Sequence, residues 1–135
     1  MLFEFWSSEC SNRIRTLPFM VRMHTRYREH GLVVAGIHTP EFRHDATVRV
    51  VQATVAGHGI RYSIGLDNAY ATWNSYGVEL RPTLFVLDRR GAIAHRRVGE
   101  DGYAQTERVI KRLLAEPAPD VLDAAASGSP AHRVA

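Results

Sequence analysis

Residues 2–13 decide the predicted fold, and they read Leu-Phe-Glu-Phe-Trp-Ser-Ser-Glu-Cys-Ser-Asn-Arg. The first five of them, Leu2 to Trp6, are apolar apart from Glu4, which predicts a short buried strand. A polar elbow at residues 7–9 follows, and a helical pattern then runs from about Cys10 to His30. The sequence therefore predicts a strand that leads directly into the N-terminus of a helix, with the only cysteine of the sequence in the first turn of that helix.

The predicted position of Cys10 favours its thiolate form. A thiol at a helix N-terminus meets unpaired backbone N–H groups and the positive end of the helix dipole, and both lower its pKa. Arg13 lies three residues further on the same helix face, where its guanidinium can reach the sulfur or an anion bound beside it. Glu4 and Glu9 are the available partners for this cation, and we expect a buried Glu4–Arg13 pair beneath the sulfur. The alternative is that Cys10 is a small buried hydrophobic residue and Arg13 faces water.

The rest of the chain alternates between strand and helix patterns. Pro18 is expected to kink the first helix near the end of its second turn, and Gly31 to end it. The elements predicted after Gly31 are strand 32–38, helix 42–57, strand 59–66, short helix 69–76, strands 83–87 and 92–98 joined by the turn 88–91, and helix 103–115. Residues 116–135 are rich in Pro, Ala, Ser and Gly, which predicts a disordered tail.

This order of elements predicts an α/β fold. Its sheet is mixed, with a parallel βαβ part first and an antiparallel hairpin afterwards, and helices cover both faces. One domain, residues 1–115, accounts for everything before the tail. Because ligands of such sheets gather at the carboxyl ends of the parallel strands, Cys10 and His38, which both follow such ends, are candidate site residues.

Composition excludes several classes of function. The 17 Lys and Arg residues exceed the 14 Asp and Glu residues by only three and are scattered, so nucleic acid is not an expected partner. No segment approaches the roughly 18 consecutive apolar residues of a membrane span, and the start of the chain lacks the pattern of a signal peptide. The sequence as written therefore predicts a cytoplasmic protein. A single cysteine excludes an internal disulfide, so redox chemistry would need a second molecule.

Several stretches of this sequence resemble the thioredoxin-like superfamily, and within it the redoxin branch of bacterial thiol-disulfide proteins. That branch includes domains found with cytochrome c maturation and disulfide-reductant membrane proteins. The resemblance covers about residues 2–114, and the stretches that carry it are 5–13, 14–18, 38–42, 66–68, 71–73, 76, 81–83, 87–88 and 99–100. It implies a thioredoxin-like fold that is N-terminally truncated relative to the family. If the true N-terminus is longer, the resemblance implies an extracytoplasmic location.

The resemblance also implies roles for individual residues. Cys10 matches the attacking cysteine of the family and Glu4 the buried acid that shuttles a proton. Trp6 matches the aromatic residue beside the motif and Pro82 the cis-proline that faces the sulfur. The substrate-binding residues implied are Trp6, Pro82 and the two neighbours of Pro82, Arg81 and Thr83. Arg13 stands where the family has its second, resolving cysteine, so Cys-x-x-Cys becomes Cys-x-x-Arg and a dithiol cycle within this chain is impossible.

Four functions remain open from the sequence. The first is a monothiol oxidoreductase in which an external thiol resolves a mixed disulfide on Cys10 and Arg13 stabilises the thiolate. The second is a redox-inactive domain that binds a partner in the groove around Trp6 and Pro82. The third is a one-cysteine peroxidase, and the fourth is a copper or zinc site of Cys10, His38 and His44.

The first function determines the expected partners. They are protein or small-molecule thiols and disulfides, with a membrane-bound redox partner among the candidates. No cofactor is expected beyond a low-molecular-weight thiol as co-substrate, and no metal is expected.

The remaining polar and aromatic features are interpreted as structural. Trp73 and Tyr76 are assigned to the core, Asp67–Asn68 to a helix cap, and the arginine pairs 89–90 and 96–97 to solvated faces of the hairpin.

Overall fold

The computed structural model describes residues 1–8 and 15–117, apart from the side chains of residues 44 and 45. These residues form five strands and four α-helices. In chain order they are β1 (Leu2–Trp6), α1 (Leu17–Tyr27), β2 (Val34–His38), α2 (Val48–Gly57), β3 (Ser63–Leu66), α3 (Ala71–Ser75), β4 (Thr83–Leu87), β5 (Ile93–Val98) and α4 (Tyr103–Ala115). Two short 3-10 turns, Arg28–His30 and Arg43–Ala46, precede β2 and α2.

The strands make one mixed sheet in the order β3-β2-β1-β4-β5. β1 and β2 run parallel, as do β2 and β3, whereas β4 is antiparallel to both β1 and β5. The central strand β1 aligns Glu4 with Gly36 of β2 on one side and with Leu84 of β4 on the other. The predicted fold class, a parallel βαβ part followed by an antiparallel hairpin, is confirmed.

Alternate residues of β1 face two separate apolar clusters. Leu2 and Trp6 lie in a cluster with α1, α2 and α4, while Phe3 and Phe5 lie in a cluster with α3 on the opposite face. This alternation follows from the two-residue period of a strand, and all five residues of β1 are buried because both faces are covered. Helices therefore cover both faces, as predicted. Glu4 shares its face with Leu2 and Trp6, so a carboxyl group lies inside the larger cluster.

The first described helix begins later than the sequence pattern predicted. Arg15 and Thr16 form a turn, and Pro18 lies in the first turn of α1. At that position proline interrupts no hydrogen bond of the helix. The predicted kink within a continuous helix is therefore wrong over these residues. The other end agrees with the prediction, since Gly31 follows the last turn with a left-handed φ of 100°.

The other predicted element boundaries agree with the structure or differ from it by a few residues. The second helix, predicted from residue 42, begins at Val48, and Thr47 caps it. The strand β3 is shorter than predicted. β4 and α4 have the predicted bounds. Residues 118–135 lie outside the described residues, so the disordered tail stays a prediction. Among the described helices, none combines the length and the apolar character needed to cross a membrane.

Candidate functional site

The candidate site lies at the carboxyl end of the parallel strands. β1 and β2 end side by side, with Trp6 aligned with His38. The chain continues from β1 through two serines toward Cys10. Cys10 and Arg13 themselves lie outside the described residues, so the predicted Glu4–Arg13 pair stays a prediction. The structure instead describes the environment that surrounds this segment.

Glu4 is a buried carboxyl group in the centre of the sheet, with only 1% of its surface exposed. Its Oε1 accepts a hydrogen bond of 2.7 Å from Thr16 Oγ1, and its Oε2 has no hydrogen-bond partner among the described residues. Burial raises the pKa of Glu4 from its ordinary value of 4.5 to about 8. The Thr16 hydrogen bond and the positive charge of Arg97 act in the opposite direction. Such a group can gain and lose a proton near neutral pH, as proton transfer requires.

Trp6 fills the space beside Glu4 and has no exposed surface. Its indole lies over Gly36, where an added Cβ would be 2.8 Å from Trp6 Nε1 and 2.7 Å from Ile64 Cδ1. The glycine therefore makes room for the indole. Trp6 also meets His38 edge to face, with ring centroids 4.9 Å apart. The structure gives Trp6 a packing position, and its contact with substrate stays a prediction.

His38 connects the ends of the two parallel strands. It is fully buried, and the backbone N–H of Ser8 donates to its Nε2 at 3.2 Å. The hydroxyl oxygen of Ser8 lies at the same distance, 3.2 Å, from Nε2. His38 is thus a strand-end residue bonded to the backbone that follows the neighbouring strand β1. This contact fixes the segment two residues before Cys10.

The loop before β4 approaches the same end of the sheet. The Arg81–Pro82 peptide bond is cis, as the resemblance implied. Arg81 Nε donates to the carbonyl and hydroxyl oxygens of Thr39 at 3.1 and 2.8 Å. Its Nη2 donates to Pro40 O at 3.3 Å and to Tyr70 Oη at 2.7 Å. These contacts tie the cis-proline loop to the loop after β2, so Arg81 has a structural role and its contact with substrate stays a prediction.

Arg81 also packs against Trp73 of α3, with its guanidinium 4.4 Å from the ring centroid. Asp67 in turn fixes α3, because its carboxylate accepts the backbone N–H groups of Thr72 and Trp73 at 3.0 and 2.8 Å. Asp67 is thus the helix cap predicted from the sequence, and Trp73 is the predicted core residue. Thr83, which follows the cis-proline, is buried, and its hydroxyl donates to the carbonyl of residue 80 at 2.6 Å.

Arg97 corrects one sequence interpretation. The pair 96–97 was assigned to a solvated face, but only 8% of the surface of Arg97 is exposed. Arg96 does remain exposed, and its guanidinium lies over Phe85 on the opposite face of the sheet. The signal that could have separated them is the strand period of two, because neighbouring residues of β5 point to opposite faces. Sequence reasoning also missed Thr16 as the hydrogen-bond partner of Glu4.

No group of three or more His, Cys, Asp or Glu side chains capable of holding a metal ion occurs within residues 1–8 and 15–117. The side chains of Cys10 and His44, two of the three ligands in the predicted copper or zinc site, lie outside the described part of the chain. The copper or zinc site therefore stays a prediction, and the described part of it is His38, whose ring contacts Ser8 and Trp6.

The mixed five-stranded sheet, the helices on both faces and the cis-proline before β4 define a thioredoxin-like fold. Comparison with solved structures agrees. A thioredoxin-like protein, determined in solution in its oxidised form, superposes with a TM-score of 0.74 at 25% identity, over 84% of this chain and 78% of that one.

Comparison with curated proteins finds relatives, and one kind among them is named as a thiol-disulfide oxidoreductase. The protein DipZ of Mycobacterium tuberculosis is 36% identical over 121 residues, which is 90% of this chain and 17% of DipZ. The thiol-disulfide oxidoreductase ResA of Bacillus thuringiensis is 24% identical over 84% of this chain and 62% of ResA. The chain thus spans about a sixth of DipZ and less than two thirds of ResA. No protein-family model matches it. The redoxin-type resemblance inferred from the sequence is confirmed.

Proposed function

We propose that this chain is a thiol-disulfide oxidoreductase domain that works with one thiol. The Cys10 thiolate attacks a disulfide, forms a mixed disulfide with one half and releases the other half as a thiolate. A second, external thiolate then attacks the mixed disulfide, forms a new disulfide and regenerates the Cys10 thiolate. Each step exchanges one S–S bond for another, so no further oxidant is needed. The external resolver is required because the sequence holds one cysteine.

The observation that carries this proposal is the buried carboxyl group of Glu4. It lies in the strand that leads to Cys10, six residues before it, and has a pKa of about 8. Glu4 is proposed to take the proton of the Cys10 thiol and to return it to the leaving thiolate. A buried carboxyl group destabilises a fold unless it is paired, and proton exchange with Cys10 is the chemical purpose proposed for this one.

The remaining roles belong to the same proposal. Arg13 stabilises the Cys10 thiolate or holds the carboxylate of a small-molecule thiol. The backbone around the cis-proline Pro82 pairs with an extended substrate segment, with Arg81 and Thr83 fixing that loop. The partners are thiols and disulfides of proteins or small molecules, and a membrane-bound redox partner belongs to the same chemical class.

The test is the rate of Cys10 alkylation by iodoacetamide as a function of pH. We expect a thiol pKa well below the ordinary value of about 8.5. Arg13→Gln should raise it, because a cation beside the sulfur is lost. Arg15→Gln is the matched control, since Arg15 is exposed and paired with Glu100 at 3.6 Å, and it should leave the profile unchanged. Oxidised glutathione should form a mixed disulfide with Cys10, detected by mass.

A thiol pKa of about 8.5 or higher, together with no mixed disulfide, would contradict the proposal. That result would favour the second function, a domain that binds a partner without redox chemistry. The single cysteine of the sequence is the observation in its favour. In that case a Cys10→Ser variant should bind its partner as tightly as the unchanged protein.

A further inference from the structure

The central row of the sheet brings two oppositely charged residues to one face. Glu4 of β1 aligns with Leu84 of β4, and Leu84 aligns with Arg97 of β5. Residues aligned across neighbouring strands point to the same face of a sheet. Neighbouring strands are about 4.8 Å apart, so the backbones of Glu4 and Arg97 are separated by about 10 Å. An arginine side chain is long enough to cover much of that gap.

Arg97 is held inside this face by its neighbours. Its guanidinium lies 4.5 Å from the ring centroid of Tyr103 and 5.8 Å from that of Phe19, and its Nη1 donates to the carbonyl of Asp101. Its Nε and Nη2 have no hydrogen-bond partner in the described part of the chain. A buried guanidinium with unused donors is unfavourable unless a negative charge lies near it.

Glu4 likewise has an unused acceptor to set against the unused donors of Arg97, because its Oε2 has no hydrogen-bond partner among residues 1–8 and 15–117. The described groups that face it are Thr16 from α1, Tyr62 from the segment before β3, Tyr103 from α4 and Arg97 from β5. Of these four, Arg97 is the cation. The two charges also act on each other, since each lowers the free energy of the other's ionised form.

We propose that Arg97 is a positioning residue for proton transfer: across Leu84, its guanidinium stabilises the carboxylate form of Glu4 inside the larger apolar cluster. Without this cation the pKa of Glu4 would lie further above neutral pH, so a smaller fraction of Glu4 would be the carboxylate that can accept a proton from Cys10. The inference rests on the proposed function for its purpose, but the coupling of Glu4 and Arg97 is measurable without any reaction at Cys10.

The experiment measures the pKa of Glu4 directly, by titrating its carboxyl ¹³C signal. Arg97→Gln should raise this pKa by about one unit, a tenfold change in the ionisation equilibrium, because an opposite charge is lost. Arg97→Lys keeps the charge and should restore most of the difference. Arg96→Gln is the matched control, since it removes the same charge one residue away, on the opposite face, and should change nothing.

A Glu4 pKa that is the same in Arg97→Gln and Arg96→Gln would overturn the inference. If Arg97→Gln does not fold, the unchanged protein provides the second measurement. The Nε–H signal of Arg97 should then titrate with the same midpoint as the Glu4 carboxyl group, while that of Arg96 stays constant. A constant Arg97 signal would overturn the inference as well. An ordinary thiol pKa at Cys10, together with no mixed disulfide, would contradict the proposed function and leave this result intact.

Discussion

Replacing Glu4 with glutamine should make the protein more stable above acidic pH. The folded protein holds the carboxyl group at a pKa of about 8, whereas the unfolded chain returns it to its ordinary value of 4.5. Between these two pH values the folded state binds a proton that the unfolded state has released. Stability therefore falls as the pH rises through this window and levels off above about pH 8. Glutamine has no such titration and matches the shape of the protonated carboxyl group.

The magnitude follows from the two pKa values. At about 1.4 kcal/mol per pH unit, the gap between 4.5 and about 8 corresponds to on the order of 5 kcal/mol of lost stability. About 3 kcal/mol of this is already lost at about pH 7. The hydrogen bond from Thr16 can persist in the variant, because glutamine keeps the accepting oxygen. The two proteins should accordingly be of similar stability near pH 5 and differ most near pH 9.

Urea unfolding of the unchanged protein and of Glu4→Gln, at a series of pH values from about 5 to about 9, measures this difference. Glu79→Gln is the matched control, because Glu79 is exposed and the same substitution there should leave the pH dependence of stability unchanged. A difference between Glu4→Gln and the unchanged protein that is constant over the whole series would refute the reasoning. It would mean that Glu4 ionises in the folded state as easily as in water.

Two further substitutions test the packing around the site. Gly36→Ala places a Cβ 2.8 Å from the indole nitrogen of Trp6 and should cost about 1–3 kcal/mol in urea unfolding. Gly65→Ala, whose Cβ would meet nothing within 4 Å, should cost less, and equal losses would contradict the close approach. Asp67→Ala removes both acceptors of the α3 cap and should cost about 1–2 kcal/mol. Asp67→Asn keeps one acceptor and should lose less, and a larger loss for asparagine than for alanine would count against the cap.

The fold could be predicted largely from local sequence patterns. The strand Thr83–Leu87 and the helix Tyr103–Ala115 have their predicted bounds because a strong sequence signal stands before each of them. A proline precedes the strand, and Gly102, with a left-handed φ of 73°, precedes the helix. Gly31, also with a left-handed φ, ends the 3-10 turn Arg28–His30. In each case the residue at the boundary sets it through its own backbone conformation, so the sequence alone contains the information.

Boundaries set by tertiary contacts could not be predicted in this way. Thr16 is the residue before α1, but its hydroxyl does not cap the helix, because it donates to Glu4 across the interface with β1. The first helix pattern therefore continued through a position where the structure has a turn. Likewise, the predicted strand 59–66 is paired only from Ser63, where β2 offers a partner. Neither position carries a sequence signal, since both depend on a neighbouring strand.

The buried position of Arg97 shows the same limit for the site. A run of two arginines in a hairpin strand is typical of a solvated face. The strand period predicts that one of them points inward, but not that Tyr103 and Phe19 form its walls. Those contacts join β5 to α4 and α1. Placing Arg97 on the face of Glu4 requires both the sheet order β3-β2-β1-β4-β5 and the registers that align Glu4 with Leu84 and Leu84 with Arg97.

The presence of Glu4 and Arg97 in one apolar cluster is an argument about function. Burying charged groups in apolar surroundings costs free energy even where opposite charges attract each other, so their presence is weak evidence for stability. The pH dependence expected for Glu4 also shows that this residue does not serve stability, because its ionisation opposes folding over the neutral range. A carboxyl group that lowers stability, beside a cation that moderates its pKa, therefore needs a purpose other than packing. The strand that carries Glu4 leads to the only cysteine of the sequence, and proton exchange with that thiol is the purpose that we propose.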